Sequence, residues 1–532
     1  MNRSRLTIKN LRTTDKPSAP SFINAWPWWS APALLSLILA LVFIDPFIGD
    51  WDALDYTTLA LQGRPSSMLF GRALFIYTNH ALWLVAHALF DLPPEKAYLL
   101  FKYAVVLQSP LTVICWWVLA RDLTGSKPAA TVSVLLLSLS PFFILYSGQA
   151  MTEIPALLLL GVALVIHLRG VRRQSILMVL LGAALLGLGL NVREAAALYA
   201  PWLVIAPFVF GWKLGRREIA LTALACLVFL IFAAGGIAYF YLTDLNGYRG
   251  QWHNWLESTR AESARHPPTL GNIGPLMLYF FMAAPLVLIA FPVAAFAEWR
   301  RRGLSPLLAL ALTGFLVNLA LIVHYGVVIN ARYILTGLPA LTPLVADYFM
   351  RTQTAKAADK NRAFASVVLG VILIASLFGY HWWPSAIAYA KARATAKDYL
   401  ERLALVPRDA VMISGGQTVA VNYWRGIGMG QWDTIGTGVG WPGEQFPSVI
   451  EKYLNEGRRV FMDADPRWWT PCGWQLPEVR ALVGLESRFR FRRLSETIYE
   501  IRPVWDETAR DQPNLQRLLP ENRPDEVRYC SG

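Results

Sequence analysis

Eleven apolar runs follow one another through the first 380 residues of the chain. A helix needs about 20 apolar residues to cross a bilayer. The runs cover 29–49, 97–120, 128–147, 154–168, 175–190, 195–212, 219–242, 275–297, 305–326, 333–349 and 363–383. That pattern predicts an all-α polytopic membrane bundle of about eleven transmembrane helices. Only 16% of the residues are charged, against roughly 25% in ordinary soluble domains. A soluble enzyme and a disordered chain are thereby excluded. The first run is too long for a signal peptide, and no small-residue cleavage pattern follows it. No short-period repeat and no low-complexity tract interrupts the series.

The formal net charge of +13 would suggest nucleic acid in a soluble protein. Here it fits basic loops beside anionic lipid, so no nucleic-acid partner is expected. One further segment, 71–91, is nearly apolar enough to cross. It carries Arg72, Asn79, His80, His87 and Asp91, whose burial in lipid costs kilocalories. It therefore reads as a helix lying at the interface, part of an interfacial region over about 53–91. With 71–91 outside the bilayer and residues 1–28 cytoplasmic, the cytoplasmic segments hold 20 Lys and Arg against 8 in the outer loops. Counting 71–91 as a span would put the arginines at 169–173 and 300–302 outside. The positive-inside rule decides against it. The membrane part then spans 29–384, with an outer loop at 243–274.

Beyond Pro384 the composition turns mixed and charged. Residues 390–405 read as a helix, 409–416 as a strand, 446–457 as a helix and 458–465 as a strand. The stretches ESRFRFRRL and ETIYEIRP alternate like a closing strand pair. A small α/β domain over 385–503, outside the membrane, and a tail over 504–532 are expected. Cys115 and Cys226 sit in apolar runs as core filler. Cys472 and Cys530 would be able to pair if this domain is periplasmic.

The polar groups with no simple anchoring role all fall on the outside. Asp50, Asp52 and Asp55 follow the first run, with Tyr56 next. Glu153 stands where the fourth run begins, with no basic neighbour in sequence. A carboxylate at a helix N-terminus is favoured by the dipole alone, so capping competes with function there. Arg193 and Glu194 end the fifth run, where an ion pair or snorkelling competes. His324 and Arg332 bracket the turn before the tenth run. An arginine at headgroup level can grip a phosphate bidentately. The loop 247–268 mixes Trp252, His253 and Trp255 with Arg249, Arg260 and Arg265, as a sugar phosphate or an interfacial aromatic belt would want. The glycine-rich stretches 425–430 and 436–443 lack a dinucleotide pattern, and no phosphate loop or HExxH is present.

The order of these outer features resembles the GT-C superfamily of membrane glycosyltransferases. Protein O-mannosyltransferases and the aminoarabinose transferase of lipid A show the most similar pattern. Asp52 and Tyr56 match the acid of the first outer loop and the tyrosine four residues later. Glu153 takes the place of the second outer acid, often Asp in the family. Arg193 stands where several members have Lys. Arg332, Tyr333 and Leu338–Leu341 match an RY...LPAL turn. No Lys-Pro-Pro element precedes residue 71.

The resemblance implies transfer of a sugar from a polyprenyl-phosphate donor to a glycan, lipid or protein acceptor. The reaction would invert the anomeric centre, at the periplasmic face of a bacterial inner membrane. It implies Asp52 as general base. Glu153 would orient the acceptor or share a divalent ion with Asp52, although no cofactor is required. Arg193 and Arg332 would hold the phosphate. Asp50, Tyr56, His324, His253 and Trp252 complete the expected substrate-binding set. A flippase for lipid-linked sugars and a non-catalytic membrane scaffold are the competing readings. A transporter would place its ionisable groups near the midplane, in two related halves.

Overall fold

Apolar stretches become helices wherever proline does not break them, and the breaks shape the bundle. The computed structural model describes residues 25–44, 51–66, 72–212, 215–265, 269–325, 331–356, 359–376, 379, 401–414, 418–436, 445–466, 469 and 476–523. The membrane part opens with α1 (Trp26–Val42), the short helix α2 (Trp51–Gln62) and α3 (Ala73–Phe90). Then come α4 (Ala97–Thr124), α5 (Lys127–Ser138), α6 (Pro141–Ser147), α7 (Glu153–Arg173) and α8 (Ile176–Leu190). A 3-10 segment (Glu194–Tyr199) leads into α9 (Trp202–Val209) and α10 (Arg216–Thr243). The helix α11 (Tyr248–Arg265) precedes α12 (Ile273–Ala283), α13 (Pro285–Arg302), α14 (Pro306–Tyr325) and α15 (Ile334–Lys356). A further helix, α16, runs over 360–376.

By length and composition four helices can cross a membrane, or six if each bent pair counts as one span. Eleven full-length spans do not result among the described residues. The reason is local. A residue before proline is pushed out of the α region, and Ala284 before Pro285 sits at φ −162°. The pair α12–α13 accordingly bends by 105°, and α5–α6 by 70° at Pro141. The run expected over 195–212 is divided between the 3-10 segment and an eight-residue α9. Conversely, the run expected only over 154–168 extends to 21 residues in α7, about 31 Å of helix.

Interhelical polar contacts fix the packing, as expected where lipid offers no hydrophobic drive. Ser133 and Thr342 hydroxyls meet at 3.0 Å between α5 and α15. The Trp116 indole donates to Leu157 O (3.1 Å) between α4 and α7. The Tyr199 hydroxyl donates to Thr336 O (2.8 Å), tying the 3-10 segment to α15. At the crossing of α14 and α15 a Cβ on Gly314 would lie 2.6 Å from Gly337 O. Gly314→Leu should therefore cost about 1–3 kcal/mol of stability through overpacking. A lower thermal midpoint in detergent is the readout; an unchanged midpoint would show that the crossing is loose.

The two ends of the bundle differ. At one end Asp122 of α4 bonds Arg169 of α7 (2.5 Å). There too Asp347 of α15 bonds Arg351 (2.7 Å) and lies 3.6 Å from Arg301 of α13. At the other end stand the starts of α7 and α15. The helix α3 is itself long and apolar enough to cross, yet both its ends stay with the second group. Arg72 at its start joins the residues around Glu153. Glu95 and Tyr98 just beyond its far end lie beside Tyr423, whose phenol is pushed up by burial and by these two neighbours. His80 of α3 meets Ala60 O of α2 (2.6 Å). The helix thus lies across the end of the bundle.

Tyr423 belongs to the C-terminal domain, which begins at β1 (Val411–Ser414) and α17 (Thr418–Gly426). It continues with β2 (Asp433–Gly436), α18 (Phe446–Asn455), β3 (Val460–Asp463), α19 (Leu476–Gly484), β4 (Phe489–Arg493) and β5 (Ile498–Pro503). The sheet order is β2-β1-β3-β5-β4. β1 is parallel to β2 and β3, while β5 is antiparallel to β3 and β4. The expected strands at 409–416 and 458–465, the helix at 446–457 and the closing pair all appear. The elements α17, β2 and α19 are additional. Of the helix expected over 390–405, only 401–405 is described, and 401–403 is helical.

Part of the expected tail folds back. Asp511 bridges to Phe491, and Leu515 and Leu518 are fully buried. Their turn packs on α19, and Leu515 N–H donates to Glu486 Oε1 (3.0 Å). Cys472 and Cys530 lie outside the described residues. Cys115 and Cys226 are free thiols, each half-buried.

The domain rests on α2. Gly426 at the end of α17 approaches so closely that a Cβ there would meet the side chains of Thr58 (2.5 Å) and Gln62 (3.1 Å).

Candidate active site

Four of the expected residues come from four separate elements and meet at one end of the bundle. Asp52 lies in the first turn of α2. Glu153 opens α7. Arg193 follows α8 in extended backbone, and Arg332 precedes α15 in a 3-10 turn. The Arg332 Nη1 donates to Asp52 Oδ2 at 2.6 Å, and its Nε lies 3.6 Å from Glu153 Oε1. Arg193 donates to Glu153 Oε1 and to Thr152 Oγ1 (3.3 Å). Both guanidiniums lie over the Tyr333 ring, with ring centroids 5.2 and 5.6 Å away.

Burial separates the roles. The Glu153 and Arg193 side chains are 1% and 4% exposed, those of Arg332 and Asp52 13% and 25%. Burial disfavours the charged form of Asp52. Arg332, with Arg72 and Arg193 behind it, outweighs that penalty and holds the carboxyl below its usual range. Asp52 is thus a charged, partly accessible carboxylate, and Glu153 is an inner one that fixes two guanidiniums. Beneath them a narrow cavity is lined by Glu153, Arg193, Leu157, Leu160, Leu335 and Thr336.

Sequence reasoning missed Arg72, treating it only as a charge too costly for lipid. It is buried and belongs to the same cluster. Its Nε and Nη2 each lie 3.4 Å from a Glu194 oxygen, and its Nη1 lies 3.5 Å from Thr152 Oγ1. Its guanidinium also covers the Tyr56 ring at 5.0 Å. Arg72 sits at φ +45°, a left-handed conformation that costs a non-glycine residue roughly 1–2 kcal/mol. The bond from Leu74 N–H to Asn191 O (2.9 Å) pins the start of α3 beside Arg193. The signal in the sequence was an arginine directly before an apolar helix. An intramembrane or rim charge is a functional candidate by default.

Tyr56 joins the cluster as expected; its ring also meets Phe75 edge-on, and its hydroxyl is buried. Trp252 and His253 do not join it among the described contacts. Trp252 packs edge-on against Tyr241 at the end of α10, and the exposed His253 pairs with Glu257 on its own helix (3.1 Å). Arg249 likewise turns back onto the end of α10, donating to Tyr241 O (2.7 Å) and Leu242 O (2.9 Å). Asp50 lies outside the described residues, as does the side chain of His324 near the end of α14.

The residues present do not suit a divalent ion shared by Asp52 and Glu153. The Arg332 guanidinium already lies against both carboxylates, and Arg193 takes up Glu153. Among the described residues, no group of three His, Cys, Asp or Glu is placed to hold a metal.

Residues 71–237 match the family described as dolichyl-phosphate-mannose-protein mannosyltransferase. That stretch contains Arg72, Glu153, Arg193 and Glu194. No curated protein matches the chain by sequence. The structure is similar to the apo oligosaccharyltransferase of Archaeoglobus fulgidus, with 14% identity, a TM-score of 0.53, and coverage of 91% of this chain and 75% of that one. It is similar also to apo ArnT from Cupriavidus metallidurans, with 14% identity, a TM-score of 0.52, and coverage of 90% of this chain and 98% of that one. The chain thus shares its fold with these two proteins and carries the mannosyltransferase family's sequence match over residues 71–237.

Proposed function

We propose that the chain transfers a sugar from a polyprenyl-phosphate donor to a glycan, lipid or protein acceptor, with inversion. The site would face the periplasm of a bacterial inner membrane, with the N-terminus cytoplasmic and the C-terminal domain on the side of the site. The observation that carries this reading is the meeting of Asp52 and Glu153 with three arginines at one end of an apolar bundle.

The acceptor hydroxyl attacks the anomeric carbon and its proton passes to Asp52. The bond from that carbon to the phosphate oxygen breaks, and its electron pair leaves with the phosphate. A carboxylate in hydrogen-bond reach of the acceptor is worth about 10²–10⁴-fold. Arg332, the more accessible guanidinium, takes the leaving phosphate. Arg193 and Arg72 act from behind it as fixed positive charge. As Arg332 turns toward phosphate, Asp52 loses its partner and becomes a better base.

The same geometry argues against a flippase, whose charged groups belong near the midplane. A scaffold would have no use for three converging arginines. Radiolabelled polyprenyl-phosphate sugar in proteoliposomes separates the readings. Label transferred to a new acceptor supports the enzyme, and label moved unchanged across the bilayer refutes it. Arg332→Ala should lower turnover by about 10²-fold or more. Arg332→Lys should recover only part, because an ammonium grips phosphate as a point charge. Full activity in Arg332→Ala would remove this residue from the reaction.

A further inference from the structure

The C-terminal domain carries a second polar surface, well apart in sequence from the membrane cluster. On β4 the residues Arg490 and Arg492 point to one face, opposite Arg502 and Glu500 of β5. Arg488, exposed, stands in the turn directly before β4. Arg459, before β3, completes the group. Glu500 is 1% exposed and lies beneath them. Its oxygens take Arg459 (2.6 Å), Arg492 (2.5 Å) and Arg502 (2.8 Å).

One buried carboxylate thus holds three guanidiniums in a fixed array, while their side chains remain 42%, 46% and 32% exposed. Asp506, 3.9 Å from Arg502, and Asp409, near Arg459, sit at the rim. Five arginines against three carboxylates leave the face positive. Beside it stands Trp505, 78% exposed. Arg490 reaches toward the preceding Val504 O (3.4 Å).

Charges on an edge strand can serve merely to block strand pairing. That explanation covers β4 and stops there. Arg459 and Arg502 stand at the interior strands β3 and β5, and blocking needs no exposed indole. A row of guanidiniums suits phosphate or carboxylate groups spaced along a polymer. A flat exposed indole offers an apolar face for sugar C–H groups.

We propose that the face formed by Arg459, Arg488, Arg490, Arg492, Arg502 and Trp505 binds an anionic oligosaccharide. It rests on the transfer reading for its role, which is to hold an acidic acceptor glycan over the membrane site. The close seat of α17 on α2 puts this domain on the side where Asp52 lies.

The test uses the full chain in nanodiscs of neutral phosphatidylcholine, titrated calorimetrically with dextran sulfate and with neutral dextran of equal length. The sulfated polymer should bind at least about tenfold more tightly, a gap of about 1.4 kcal/mol. Arg488→Gln/Arg490→Gln should weaken it by about tenfold, and Trp505→Ala by about threefold. Equal binding by parent and both variants overturns the proposal. So does loss in the arginine variant with none in Trp505→Ala, which would describe a plain anion site. Displacement of the probe by phosphatidylglycerol vesicles, with Trp505 without effect, would make the face a membrane contact and overturns it too. Asp52→Asn should bind the probe like the parent. Loss of binding in the face variants therefore stays distinct from any failure of the transfer reading.

Discussion

Asp52→Asn should abolish most transfer, by about 10²–10⁴-fold, while leaving the fold in place. The substitution keeps the side-chain shape and a hydrogen-bond acceptor for Arg332 Nη1, now 2.6 Å from Oδ2. It removes a charged, partly accessible carboxylate that Arg332 holds at the cluster, the group assigned to take the acceptor's proton. Because Asp52 is a quarter exposed, losing its ion pair costs little stability. The thermal midpoint should thus stay close to that of the parent. Transfer from labelled polyprenyl-phosphate sugar at saturating acceptor is the measurement. A variant that turns over at the parent rate would show that the proton leaves by another route, and the assignment of the base would fall.

Glu153→Ala should act in the opposite way, mainly on stability. It strips the partner from Arg193, itself 4% exposed. Removing one member of a buried pair costs about 3–5 kcal/mol, because the other charge stays buried without compensation. Transfer should also fall, since Arg193 and Arg332 lose the anchor that orients them. The double variant Glu153→Ala/Arg193→Met separates the two effects. Replacing a buried pair by apolar groups is often neutral for stability, so its midpoint should recover while transfer does not. If the single variant melts with the parent, Glu153 is not the structural anchor described above.

Much of this was written plainly in the residues. Apolar runs became helices, and Asp52, Glu153, Arg193 and Arg332 stood at loop positions that the bundle brings to one end. Alternation in FRFRR and TIYEI identified the closing strands, because a half-buried sheet demands it. What escaped notice depended on distant partners. Arg72 gains its meaning from Glu194 and Thr152, 122 and 80 residues away, and no local pattern encodes that. β2 is four residues long in a glycine-rich stretch, too short for any periodicity to register. The bends at Pro141 and Pro285 were visible as prolines, but the angle comes from packing. Trp252 and His253 suited a sugar by their chemistry, and the neighbours that the fold gives them are Tyr241 and Glu257.

The sharing of Arg332 between two acids has a thermodynamic corollary. If donor phosphate competes with Asp52 for this guanidinium, the two substrates' binding energies are linked. Donor occupancy then strengthens the hold on acceptor, and acceptor strengthens the hold on donor by the same factor. Cooperativity of this kind requires no movement of the helices, only one side chain with two alternative allegiances.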